Sequence, residues 1–124
     1  MTNKSKAKGT RAETKVVEYL TACGFSAERM ALHGNQDMGD VKVTDQHGNV
    51  FVLEVKAGQQ TANPSRAQLT EWLRQTTVES SNSGLPCHLV VVRYRRLLKD
   101  AEVYTPQEEQ TSWCYLDDFV NKSG

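Results

Sequence analysis

The chain predicts a single α/β domain in which a mixed central β-sheet is flanked by helices. Three observations carry this reading. The elements follow one another as helix, three strands, helix, two strands and a closing helix, which is not a chain of βαβ repeats. Residues 50–57, VFVLEVKA, are apolar on both faces, as a covered central strand must be. The 124 residues, 38% of them hydrophobic, fill one core and leave little for a second.

Residues 1–9 are small, polar and basic and read as a flexible segment ahead of a domain spanning 10–124. A helix follows, with Ala12, Val16, Tyr19, Leu20 and Cys23 on one side. Thr10 and Glu13 have the spacing of a capping box at its start, and Gly24 stops it. Phe25 to Leu32 reads as a strand, and the segment HGNQDMG as a turn. In the next strand Val41 and Val43 point one way, and Asp40, Lys42 and Thr44 the other. Gln46 to Asn49 forms a turn into the covered strand.

Asn63-Pro64-Ser65 opens a second helix with a buried stripe of Leu69, Trp72, Leu73 and Thr76. The run Ser81-Asn82-Ser83-Gly84 ends it. Leu89 to Val92 is a buried strand continuing through Arg95, and Ala101 to Tyr104 is a short one. Trp113 to Val120 reads as the closing helix.

Fifteen basic and fifteen acidic residues cancel, so overall charge does not signal nucleic acid. The charges are nevertheless segregated. Lys4, Lys6, Lys8 and Arg11 precede the first acid, Glu13, and Arg93, Arg95, Arg96 and Lys99 form a second basic group. Such asymmetry makes a basic face on a neutral protein, or only a solvated tail and strand end. Cys23, Cys87 and Cys114 lack CxxC spacing and fit free thiols in a reducing cytoplasm, prokaryotic or virus-infected. The sequence MTNKSKAKGT has no signal-peptide h-region, and Leu89–Val92 is too short to span a membrane.

The unusual feature is charge inside the apolar hairpin. Glu54 and Lys56 share one face of the covered strand, because side chains alternate. Folding at the 46–49 turn brings Asp40 opposite residue 55 or 56. Burying these groups is costly unless they are paired or bind a cation. Two carboxylates and an ammonium make a compact site for a hard divalent ion such as Mg²⁺, with Mn²⁺ as the alternative. The ion would polarise a phosphodiester and acidify a bound water, and Lys56 would hold that water or neutralise the phosphate.

Asp40 followed by Glu54-Val55-Lys56 on the next strand resembles the PD-(D/E)XK nuclease superfamily. The likeness extends to the archaeal-type Holliday junction resolvases over roughly residues 8–95. It rests on Lys8-Gly9-Thr10-Arg11-Ala12-Glu13, on Gly24-Phe25 at the helix end, and on Arg29 in the following strand. It also takes in His33-Gly34 leading to Gly39-Asp40, and Gln68 on the helix after the ExK strand. The resemblance implies a restriction-endonuclease-like fold and a metal-dependent, structure-selective DNA endonuclease of recombination or repair, acting on branched DNA as a homodimer. It implies Glu13, Asp40 and Glu54 as acidic, metal-binding residues and Lys56 as the catalytic lysine. Lys4, Lys6, Lys8, Arg11, Arg29, His33 and Gln68 would contact nucleic acid, together with the basic group at 93–99. Trp113 to Val120 is one candidate dimer surface, and equally a piece of core.

Gly39 stands where the superfamily usually has proline, and His33 where the resolvases often have serine. Asp37 competes with Asp40 as ligand, although Asp40 begins a strand and lies closer in register to Glu54. Glu13 is also explained by capping, Arg29 by pairing with an acid, and Gln68 by hydration of its helix. Three rival functions stand beside the resolvase: a nuclease for other DNA structures, a catalytically silent DNA-binding module on the same fold, and an ordinary α/β domain in which Glu54 and Lys56 pair only with each other.

Overall fold

The computed structural model describes residues 4–30, 38–107 and 110–123, with side chains from Arg11 to Lys122. Helix α1 (Lys4–Ala22) precedes strands β1 (Ser26–Arg29), β2 (Val41–Thr44) and β3 (Val50–Lys56). Helix α2 (Arg66–Ser83) leads to β4 (Cys87–Val91), β5 (Glu102–Thr105), β6 (Ser112–Tyr115) and helix α3 (Leu116–Ser123). The six strands lie in one sheet in chain order. β3 and β4 are parallel, since α2 carries the chain back between them, and every other neighbouring pair is antiparallel. The sheet is mixed and flanked by helices, as the sequence predicts.

Alternation along the strands sorts the side chains onto two faces. Val41, Val43, Phe51, Leu53, Val55, Val90 and Val103 pack with Val16 and Leu20 of α1 and Leu116 and Val120 of α3. On the other face Leu89 and Val91 pack against Trp72 of α2. β3 is buried from Phe51 to Val55, so both of its faces are covered. Glu54 and Lys56 therefore belong to the α2 face, and reach it close to where β3 ends.

α2 begins where its sequence says. Ser65 caps it by accepting the Gln68 N–H at 3.1 Å. It ends at Gly84, whose φ of +73° lets its N–H close on the Ser80 carbonyl.

Four expectations change. α1 starts at Lys4, so Lys4, Lys6 and Lys8 lie within the helix, and Thr10 and Glu13 are interior helical residues rather than a capping box. The strand predicted over 25–32 is β1 at 26–29, and 31–37 lies outside the described residues. β4 stops at Val91: the chain turns at once, with the Arg96 N–H on the Arg93 carbonyl and Arg95 at φ +61°. The segment predicted as one closing helix splits, with Trp113 and Tyr115 in β6 and the helix beginning at Leu116. Leu116 donates its N–H to Ala101 at 2.7 Å, which seats the helix against the start of β5.

The hairpin register also differs by one. β2 and β3 pair Thr44 with Val50 and Val41 with Leu53, so the next step faces Asp40 to Glu54 instead of residue 55 or 56. The cause is Asp45. Its N–H donates to the Asn49 carbonyl at 2.9 Å and its carboxylate accepts the His47 and Asn49 N–H groups at 2.8 and 2.9 Å, which pairs Asp45 with Asn49 and shortens the loop to 46–48.

Gly39 leads the chain into Asp40 at φ +109°, a conformation proline cannot adopt. A Cβ there would stand 3.3 Å from the Val52 Cβ. Gly39→Ala is expected to cost about 1–3 kcal/mol by strain and crowding. The urea midpoint should fall with little change in m-value; an unchanged midpoint would show that residue 39 tolerates a side chain.

Candidate active site

The acidic site forms where β2 runs out while β3 continues. The Asp40 N–H donates to the Leu53 carbonyl at 2.9 Å, the last rung between them. The Val55 N–H points to the same side, and Asp40 Oδ2 accepts it at 2.8 Å. A side chain thus replaces a missing strand residue, which fixes the Asp40 carboxyl against β3. Glu54 is 5% exposed, held between β2 and β4 by the ladder. Lys56 Nζ lies 3.3 Å from Glu54 Oε2. With both carboxyls ionised, Glu54 Oε1 is buried without a hydrogen-bond partner among the described residues.

Burial, then the neighbouring Glu54, pushes the Asp40 carboxyl up to about 8, against the Val55 N–H and Lys56. Burial pushes Glu54 up to about 7; Asp40 and Lys56 draw it down and Glu79 raises it further. The two carboxyls come close enough to share a proton. The buried Glu54 Oε1, without a partner among the described residues, and the Asp40 carboxyl beside it make a donor set that would fit a divalent ion.

Among the described residues no three His, Cys, Asp or Glu side chains form a closed metal cage. Asp40 and Glu54 would supply only part of a ligand set, leaving the other positions of a hard divalent ion to water or substrate.

Glu13 reaches the same end of the sheet from α1. Its carboxyl is raised by burial and by the charge of Asp40, and it is lowered by Arg29. Arg29 Nε lies 3.3 Å from Glu13 Oε1, so this arginine pairs with an acid on its own rim. Gln68 is exposed on the first turn of α2 and does not join the acidic group. Gln75, two turns further along, lines the cleft with Glu54 and Lys56. Arg11 is exposed at the same rim. His33 and Asp37 lie outside the described residues, as do the side chains of Lys4, Lys6 and Lys8.

Sequence reasoning missed Glu79. It is 1% exposed on α2, and its carboxyl acts on Glu54 across the cleft. The signal was present: Glu79 follows Trp72 by seven residues and Thr76 by three, so the buried stripe passes through it. A glutamate on that stripe invites the same question as Glu54.

The cleft holding Glu54, Lys56, Gln75 and Glu79 has a volume of about 340 Å³. Its chemistry is that of a cation site beside a lysine, open to a phosphate-sized group.

A family model described as "Phage putative PDDEXK endonuclease" matches residues 4–115. A solved Holliday junction resolvase from the archaeal hyperthermophile Archaeoglobus fulgidus shares the fold. It has a TM-score of 0.56 and 15% identity, covering 94% of this chain and 100% of that one. No curated protein sequence matches the chain.

The raised carboxyls set a sign for stability against pH. The folded state binds more protons than the unfolded one between about pH 4 and 8, so metal-free stability falls as pH rises through that window. Glu54→Gln removes the penalty. At pH 8 in EDTA the variant should melt higher than wild type by about 3–10 °C, and at pH 5 the two should converge. Parallel melting curves at both pH values would mean that Glu54 is not held protonated.

Proposed function

The chain belongs to the phage PDDEXK endonuclease family, and we propose that it is a Mg²⁺-dependent DNA endonuclease that resolves four-way junctions as a homodimer. One observation carries this reading: Asp40, Glu54 and Lys56 meet at the rim of the sheet, Glu54 buried and the other two half-buried, in a chain whose family is a nuclease family. A purely structural role leaves the buried carboxyls at a cost that packing could have avoided.

Asp40 and Glu54 would hold the cation, and Glu13 lies near enough to act on it through Asp40. When bound, the ion supplies Lewis acidity to the phosphoryl oxygen and lowers the pKa of an attacking water. The chain's own groups do the positioning. The Val55 N–H fixes the Asp40 carboxylate, and the Leu53 carbonyl fixes the Asp40 backbone N–H. β3 fixes Glu54 and Lys56 two residues apart on one face. Lys56 donates to the nucleophile or to a non-bridging phosphate oxygen and balances negative charge as it grows. Arg29, held by Glu13, and Arg11 on the same rim face the phosphates of an approaching duplex.

The four-way junction is favoured by the resemblance to archaeal-type resolvases and by the shared fold with the Archaeoglobus enzyme. Symmetric cuts across a junction need two active sites, hence two copies.

Cleavage of a labelled four-way junction and of a matched duplex, in Mg²⁺ and in EDTA, tests this. Asp40→Asn, Glu54→Gln and Lys56→Ala should each lower the junction-cutting rate by about 10²–10³-fold. Equal cutting of duplex would discard the resolvase and keep the nuclease. Metal-independent cutting, or full activity in Glu54→Gln, would remove the site itself.

A further inference from the structure

Beyond Lys56 the rim carries two adjoining cavities that the acidic site does not use. The first, about 350 Å³, is floored by Ala12, Ala57 and Val92 and edged by Arg11, Lys15, Arg95 and Arg96. No acidic side chain lines it. The second, about 550 Å³, shares Arg93, Tyr94 and Arg96 with the first and continues to Asp100, Glu102 and Tyr115. We infer that the two cavities hold a single-stranded DNA segment beside the phosphodiester that is cut, so that the substrate carries an unpaired arm. The inference rests on the nuclease reading of the acidic site, and it favours a flapped or splayed branch over a four-way junction, whose arms are all paired.

Position is the first argument. Ala57 follows Lys56 in the chain, and the Val92 N–H donates to the Lys56 carbonyl at 2.8 Å. Ala12 precedes Glu13. The first cavity therefore opens at the same end of β3 as the acidic site, but on the α1 face where Ala57 and Val92 pack, while Glu54 and Lys56 lie on the α2 face.

Shape is the second argument. A duplex presents hydrated phosphates and would lie across the rim, with nothing apolar to set on Ala57 and Val92. An unpaired nucleotide carries a phosphate for the arginines and a base or sugar for the floor. A volume of about 350 Å³ falls in the range of small-ligand pockets.

Charge separates the two cavities. The first is wholly basic at its edge and suits phosphate. In the second, Glu102 is already held by Arg93 at 3.0 and 3.1 Å and by the Tyr104 hydroxyl at 2.6 Å. Arg96 and Asp100 also line it, a balanced lining that suits the polar edge of a base. Tyr115 lines the second cavity, and Trp113 stands beside that ring. Tyr115 is 45% exposed and Trp113 53%, their ring centroids 5.3 Å apart and the rings perpendicular. Basic groups interleaved with exposed aromatics make up the usual single-strand surface. The left-handed turn at Arg95, with its guanidinium 5.0 Å from the Tyr94 ring centroid, sets the basic edge between the two cavities.

The test is fluorescence anisotropy of a fluorescein-labelled 20-nucleotide oligo-dT and of a matched duplex, with the full chain in EDTA. Oligo-dT should bind at least ten-fold tighter than the duplex and quench tryptophan fluorescence. Arg11→Ala/Arg96→Ala should weaken oligo-dT binding at least ten-fold and lower the salt slope by roughly 1.4, about 0.7 per lost phosphate contact. Tyr115→Ala should weaken it about five-fold or more. Melting curves confirm that these surface variants fold. Equal affinity for duplex, lost in parallel in the variants, would overturn the inference in favour of backbone tracking. So would a Tyr115→Ala variant that sediments as a monomer, where wild type is a dimer, with oligo-dT binding unchanged; the aromatics would then join two copies. Glu54→Gln separates the two readings. It should keep oligo-dT affinity within two-fold, so loss of single-strand binding condemns the cavities alone, and persistence of cutting in Glu54→Gln condemns the acidic site alone.

Discussion

Glu54 occupies the middle of a strand covered on both faces, and the arrangement of the rim follows from keeping it there. An isolated carboxylate in that position would be protonated or would unfold the strand. Lys56 lies on the same face and Asp40 arrives from the neighbouring strand. Asp40 can do so only because β2 ends one residue short of it, which leaves the Val55 N–H for its side chain to fill. The end of β2, the sharp entry at Gly39 and the loop set by Asp45 are therefore parts of one constraint. Each fixes where the second carboxylate falls relative to the first.

The same constraint explains why the other chemistry sits where it does. β3 and β4 are the parallel pair, and parallel strands leave a crevice beyond their carboxyl ends. Lys56 closes β3 at that edge, Asp40 opens β2 beside it, and α1 brings Glu13, Arg11 and Lys15 across it. β4 then leaves the sheet through the turn carrying Arg93 to Arg96. Acidic groups gather at the β2–β3 end of the rim and basic groups at the β3–β4 end. The polarity is set by the crossover helix, since α2 makes β4 run alongside β3 instead of against it.

The parts legible in the sequence were those with a strong local signal. The covered strand, the alternation of Val41 and Val43, and the Ser65 and Gly84 ends of α2 all follow from residue type at fixed spacing. What failed was competition between local signals. Thr10 and Glu13 satisfy a capping rule, yet the helix continues through them, and Glu13 faces Asp40 instead. Trp113 to Tyr115 reads as the start of a helix until β5 offers it a partner; pairing along an edge is not written in the segment itself. Asp45 closes the hairpin on Asn49, a loop one residue shorter than the 46–49 turn, and its side-chain hydrogen bonds hold that shorter loop in a way a turn rule does not weigh. Glu79 was overlooked because a stripe is usually followed only through its apolar members, although its spacing marked it.

Glu79 also bears on why the site is built from carboxyls whose charges oppose one another. Glu54 has Lys56 on one side and two acids on the others, so one nearby cation does not neutralise the group. Replacing such a cluster with apolar residues is often neutral or stabilising, so stability alone gives no reason to retain it. The surplus negative charge is relieved by a proton at low pH; at higher pH a cation would relieve it, and on the proposed nuclease reading that ion would act on phosphate. A rigid central strand keeps the carboxyls from moving apart when neither is present. The metal-free protein therefore carries its buried carboxyls at a cost in stability that grows as they ionise, and a bound cation would offset it.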